Sequence, residues 1–139
     1  MTDAAGEQQA ATTPDAAVVP QGIPGLADLG RPLSVFVRAL ILDNFKSFMK
    51  KTRIPVRDGF TTVSGPNGSG KSNVIDAVQF VLGIATSKGM RAERLTDLIC
   101  TEGTRPSARV SLEVEGTFER ADGTKHTRVF EVTRVVRKQ

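Results

Sequence analysis

The chain of 139 residues has no Trp, no Tyr, one Cys and one His, and each scarcity excludes something. A lone cysteine, Cys100, closes no internal disulfide and builds no cysteine zinc cluster, so a reducing, cytoplasmic setting is expected. All seven aromatics are Phe, which removes the Trp and Tyr platforms on which single-stranded nucleic acids often stack. No stretch approaches the roughly 18 consecutive apolar residues of a spanning helix. No secretory leader is recognisable, so no membrane partner is expected. His126 lacks a cluster of partner ligands and reads as structural or exposed. The length suits one domain.

What is present is unevenly distributed. Of the 19 basic residues only Arg31 falls in residues 1–34, against four of the 15 acids, so 35–139 carries a net charge of +7 behind an acidic tail. Residues 1–34 are rich in Ala, Thr, Gln, Gly and Pro, hold four of the seven prolines and show no sustained apolar period. They read as a disordered or loosely held tail, because burial cannot offset their ordering entropy. The tail's one candidate anchor is the apolar trio Ile23, Leu26 and Leu29.

From Val35 the pattern changes. Residues 35–43 are dense in β-formers and predict a mostly buried strand; 53–56 predict a short one. After the turn at Asp58 and Gly59, residues 60–64 predict a third strand running into a glycine-rich loop. Residues 72–82 place Val74, Ala77, Val78, Val81 and Leu82 at helical spacing, with Gly83 as the stop. Alternation of Ala108, Val110, Leu112 and Val114 with polar residues predicts a half-exposed strand. Asp122 and Gly123 then turn the chain into a last strand over 127–136. The fold class expected is α/β, ending in an antiparallel meander.

Residues 65–72, Gly-Pro-Asn-Gly-Ser-Gly-Lys-Ser, satisfy the phosphate-loop pattern G-x-x-x-x-G-K-[ST] between a predicted strand and a predicted helix, the context that the pattern requires. The residue types follow from the chemistry. Gly65, Gly68 and Gly70 let the backbone bring its N–H groups onto phosphate oxygens, and the helix beginning near Lys71 adds its positive end. Lys71 is expected to reach the terminal phosphates and the Ser72 hydroxyl to ligate magnesium. Pro66, Asn67 and Ser69 complete the loop, Asn67 and Ser69 mostly through backbone N–H groups.

Hydrolysis needs a further acid on the metal and another group to orient water. Asp43 ends an apolar strand as such an acid would, but it precedes the loop, and Asn44 stands where a catalytic Glu would follow. No complete active site is assembled from this chain.

Beyond the general motif, residues 65–83 resemble the phosphate-loop region of SMC proteins, the chromosome-structure ATPases of the ABC type. Residues 42–48, Leu-Asp-Asn-Phe-Lys-Ser-Phe, resemble the end of that family's first strand, and 87–99 resemble the stretch after its helix. The likeness covers 36 to about 136, in the family's order. It implies the N-terminal part of a P-loop ATPase head, residues 35–139, that pairs with a C-terminal head half. It further implies a long coiled coil, a second head, a kleisin-type subunit and DNA as partners in chromosome condensation and segregation, with a cytoplasmic, nucleoid-associated location. Carried over by position, residues 65–73, including Asn73, would contact ATP, Ser72 would ligate Mg2+, and Lys46 and Ser47 would lie near the nucleotide. Arg91 would stabilise charge beside the phosphates. Repair ATPases of the RecF, RecN or SbcC type share the Asn-Phe-Lys-Ser pattern and remain an alternative; a binding fragment without turnover is another. Lys46, Lys50, Lys51, Arg53 and Arg57 form a basic cluster suited to DNA phosphates or to a solvated face.

Overall fold

A computed structural model of the chain describes residues 27–84 and 88–139. Most of the acidic tail, including Ile23 and Leu26, lies outside the described residues, as does Ser87. Leu29, the third member of the apolar trio, is buried in a short 3-10 turn at Ala27–Leu29.

Four strands form one antiparallel sheet in the order β2-β1-β3-β4: β1 (Arg31–Asp43), β2 (Thr52–Pro55), β3 (Ser107–Glu119) and β4 (Lys125–Arg137). The first strand begins at Arg31, four residues ahead of the change in composition at Val35. Its ladder with β3 extends to Arg31 opposite Glu119, where the two side chains pair at 2.6 Å. Composition assigns residues 31–34 to the tail, whereas the pairing edge of β3 draws them into the sheet.

Alternation along β3 sorts the two faces. Leu40 lies opposite Leu112, Leu42 opposite Val110, and Ala108 opposite Val136; all six are buried on one side. The intervening residues make polar contacts. Arg53 holds Glu113 through two hydrogen bonds of 2.9 Å, keeping that carboxyl below its ordinary pKa, and the Ser111 hydroxyl meets that of Thr133 at 2.7 Å. A register shift between Val37 and Ala39 leaves Arg38 as the extra residue, and its guanidinium pairs with Asp58 and Glu115, each at 2.6 Å.

The single α-helix among the described residues, α1 (Lys71–Leu82), packs on β3 and β4. It buries Ala77, Phe80 and Val81 against Leu42, Phe45, Met90 and Leu98. Phe80 stands centrally, with the Phe45 ring 5.6 Å away and the Arg134 guanidinium 4.7 Å over its face. Arg134 also donates to the Phe80 carbonyl at 2.9 Å. Gly83 ends the helix at φ 68°, a left-handed conformation in which its N–H caps the Phe80 carbonyl.

The strand expected over 60–64 does not form. A strand is stable only when an edge accepts its backbone, and none of the four strands takes this segment up. Phe60 is 97% exposed and Val63 is also open to solvent.

The hairpin between β3 and β4 closes through Asp122, whose carboxylate accepts from the Thr124 N–H and hydroxyl. Near it His126 stacks on Phe118, and both its ring nitrogens are buried without a partner. Desolvation, followed by the charges of Arg120 and Arg128, pushes its pKa below the ordinary 6.5.

Two outcomes follow for unfolding measurements. Phe80→Ala should cost about 3–5 kcal/mol, whereas Phe60→Ser should stay within about 0.5 kcal/mol of the parent; equal effects would contradict the packing described. Because the folded state keeps His126 neutral, the unfolded chain binds the extra proton. This contribution to stability is therefore intact above about pH 6.5 and is lost as pH falls below it. His126→Leu should flatten the slope of stability between about pH 7.5 and pH 5.5, and an unchanged slope would exclude this origin.

Candidate functional site

The segment joining Gly65 to α1 turns on two glycines in the left-handed region, Gly68 at φ 81° and Gly70 at φ 96°. Gly70 is the N-cap and supplies no side-chain oxygen to the first helical turn. The N–H groups of Asn73 and Val74 return to the Gly70 carbonyl, while those of Lys71 and Ser72 have no acceptor among the described residues. An uncapped helix start of this kind attracts an anion, because unsatisfied N–H groups and the helix dipole point the same way.

These residues border a concavity of about 320 Å³ lined by Asn67, Gly68, Gly70, Lys71, Ser72, Asn73 and, from across it, Arg91. Lys71 folds back so that its Nζ donates to the Gly65 carbonyl. The loop is further braced by the Ser69 N–H on the Pro66 carbonyl at 3.2 Å.

A second segment, immediately after β1, reaches the loop from behind. Lys46 donates its backbone N–H to the Leu98 carbonyl, and the Cys100 N–H returns to the Asn44 carbonyl, which clamps residues 44–46 against the 3-10 turn at Leu95–Leu98. Ser47 accepts from Asn73 Nδ2 at 2.8 Å, and its hydroxyl lies 3.1 Å from where a Cβ on Gly70 would stand. Lys46 does not line the concavity. Its Nζ turns inward to Asp76 at 2.5 Å and the Met90 carbonyl at 2.6 Å. The same Asp76 oxygen accepts from Arg91 at 2.7 Å, and Arg91 also approaches Asn73 Oδ1 at 3.4 Å.

Three non-glycine residues take positive φ among the described residues: Asn44, Lys46 and Arg91. All belong to the two segments flanking this network, and such backbone persists only where surrounding contacts over-determine it.

Residues 65–73 gather with Ser47 and Arg91, as the sequence suggests. The basic cluster does not survive as a unit. Lys46 is half-buried against Asp76 and Arg53 is engaged by Glu113, which leaves Lys50, Lys51 and Arg57 on the exposed surface. Asp43 pairs with Arg105 at 2.8 Å, and buried Asn44 donates to the Arg105 and Ser107 carbonyls. Neither borders the concavity.

The residue that sequence reasoning missed is Asp76. A signal existed. It is the sole acid of α1, it shares a face with the buried Phe80, and no base stands three or four positions away to pair with it locally. A buried carboxylate of that kind requires a cation from elsewhere in the fold.

Residues 36–139 match the family described as the RecF/RecN/SMC N-terminal domain. The chain belongs to that family. This RecF/RecN/SMC-type segment is 57% identical over 91 residues to the Chromosome partition protein Smc of Synechocystis, across 64% of the chain and 7% of that protein. It thus spans under a tenth of the curated relative's length. Among solved structures it resembles an Smc head domain with an extended coiled coil bound to the C-terminal domain of ScpA, from Pyrococcus furiosus. That likeness has a TM-score of 0.53 and 34% identity, over 69% of this chain and 29% of that one. A structure concerned with ATP-driven dimerization and DNA-stimulated activation of SMC ATPases matches with a TM-score of 0.51 and 33% identity, over 68% and 69% of the two chains. The family's head is a P-loop ATPase fold, of which this segment supplies an antiparallel sheet and the phosphate-loop helix.

The loop geometry sets an order of sensitivity. Gly70→Ala meets both a left-handed φ and the Ser47 hydroxyl, whereas a Cβ on Gly68 meets only its φ because the space around it is open. Gly70→Ala should therefore destabilise by about 2 kcal/mol and Gly68→Ala by about 1 kcal/mol, read by denaturant unfolding. The reverse order would contradict the contact with Ser47.

Proposed function

We propose that residues 35–139, together with the Arg31–Ser34 start of β1, are the N-terminal part of an SMC-type ATPase head that binds ATP with Mg2+ and serves chromosome segregation and condensation, and that the acidic stretch ahead of β1 is a separate tail. The observation that carries this reading is the uncapped start of α1, entered through Gly65 to Gly70 and faced by Arg91.

The residues present fit a bound polyphosphate. The Lys71 and Ser72 N–H groups have no acceptor among the described residues, and a Cβ at Gly70 would press on the Ser47 hydroxyl and displace the loop that presents them. An arriving phosphate oxygen competes with the Gly65 carbonyl for the Lys71 ammonium, which then carries charge on the terminal phosphates. Asn73 and Ser47 stay hydrogen-bonded to each other beside the loop and hold its rim.

For Mg2+ the chain offers one hydroxyl, that of Ser72; among the described residues no three Asp, Glu, His or Cys side chains cluster as ligands. This suits a magnesium ion, which keeps several waters and is bound largely through phosphate oxygens. When bound, the ion would supply neutralisation of the phosphate charge.

The second metal acid and the water-orienting group must come from elsewhere. Asp43 and Asn44 are committed to Arg105 and to backbone carbonyls. Phe60, Val63, Ile75, Leu82 and Ile84 are exposed around the loop and helix, which supports a C-terminal head half as the cover of that apolar surface. A second head, a kleisin-type subunit and DNA, the last through Lys50, Lys51 and Arg57, complete the proposed partners. A cytoplasmic, nucleoid-associated location accompanies them. The match to a chromosome partition protein favours this reading over a RecF, RecN or SbcC type of repair ATPase.

The engaged state of Asp43 and Asn44 also favours a chain that binds without turnover when alone. ATP titration should give saturable binding that Lys71→Ala weakens at least about tenfold, while hydrolysis by the chain alone stays at background and rises when a C-terminal head segment is added in trans. Lys71-independent binding would overturn the site assignment; Lys71-dependent turnover by the chain alone would overturn the division of labour.

A further inference from the structure

The network behind the phosphate loop gives one carboxylate two cations of unequal freedom. Asp76 is 6% exposed at its side chain, Lys46 12% and Arg91 58%. Lys46 has a second acceptor, the Met90 carbonyl, and a backbone clamped to the Leu98 carbonyl. Its departure would leave a buried carboxylate and a buried carbonyl exposed to each other without a donor, a costly arrangement. Arg91 is held at one guanidinium nitrogen, by Asp76 at 2.7 Å and by a long contact to Asn73 at 3.4 Å. It already borders the concavity. If Arg91 moves off Asp76, the carboxylate is still neutralised by Lys46, so no unpaired charge is buried.

We infer that Asp76 is a positioning residue of the phosphate site: with Lys46 as its permanent counterion, it parks the Arg91 guanidinium at the rim of the concavity, ready to transfer to a terminal phosphate. Lys46 thereby acts through Asp76 and not on the phosphates. The arrangement also accounts for the left-handed φ of both Lys46, at 47°, and Arg91, at 56°. Each backbone is bent to bring a cation to the same oxygen. A guanidinium waiting within one side-chain swing of its anion needs little reorganisation when charge develops there. This inference rests on the reading of the concavity as an ATP site.

The test is a double-mutant cycle on the chain assembled with its C-terminal head segment, reading ATP affinity and kcat separately. Asp76→Asn should leave ATP affinity within about threefold and lower kcat about tenfold or more, and it should cost little further in an Arg91→Ala background. Asp76→Glu should recover part of the loss. Should Asp76→Asn fail to fold, the pair Lys46→Gln with Asp76→Asn removes both charges of the ion pair together and should fold with the same fall in kcat. Full kcat in a folded Asp76 variant, or an equal further loss without Arg91, overturns the positioning role alone. Absence of ATP binding by the unsubstituted chain and assembly overturns the functional reading, and the positioning role with it.

Discussion

A buried carboxylate on the second turn of α1 is the contact on which the site depends. Asp76 ties together three stretches that are remote in sequence: the turn after β1 through Lys46, the helix itself, and the loop that brings Arg91 across. A charge in that position is tolerable only when it is paired, so Lys46 and α1 must arrive together, and the same carboxylate then draws in Arg91. The apolar core alone would hold α1 on the sheet through Phe45 and Phe80, but it would not determine where Arg91 stands relative to the phosphate loop. Packing sets the height of the helix; the ion pairs set its chemistry.

Around this point the molecule is asymmetric. The sheet side of α1 is closed by Leu42, Val110 and Leu112, whereas the side carrying Ile75, Leu82 and Ile84 is open. The approach to the loop, from Phe60 to Ser64, is equally uncovered. A phosphate loop is most useful when rigidly supported, because preorganised N–H groups do not have to reorganise as charge arrives. An antiparallel sheet on one side and an exposed apolar surface on the other describe a site with half of its support in place.

Much of this was legible in the sequence. Alternation around Val110 and Leu112, the turn at Asp122 and Gly123, the helix after Gly70 and its stop at Gly83 are local patterns, and each appears where expected. Other features were not legible, for identifiable reasons. Residues 60–64 have β-forming composition, but strand formation is decided by an available edge. Residues 31–34 have loop-like composition, yet β3 extends far enough to pair with them. Lys46 looked like one of several surface cations, because nothing local reveals that its side chain turns inward to an acid 30 residues away.

What the sequence determined by itself is the chemistry of the loop. Glycines, a lysine and a serine at fixed spacing before a helix specify a phosphate-binding backbone, since that function depends on conformations and groups carried within eight consecutive residues. Tertiary structure alone decided which distant side chains serve it. Of the five cations in the 46–57 stretch, one is withdrawn to neutralise Asp76, one is held by Glu113, and the rest face solvent. Arg91 becomes part of the site because Asp76 holds it there. Long-range ion pairs depend on burial and on the meeting of segments separated in the chain, and no local pattern encodes either.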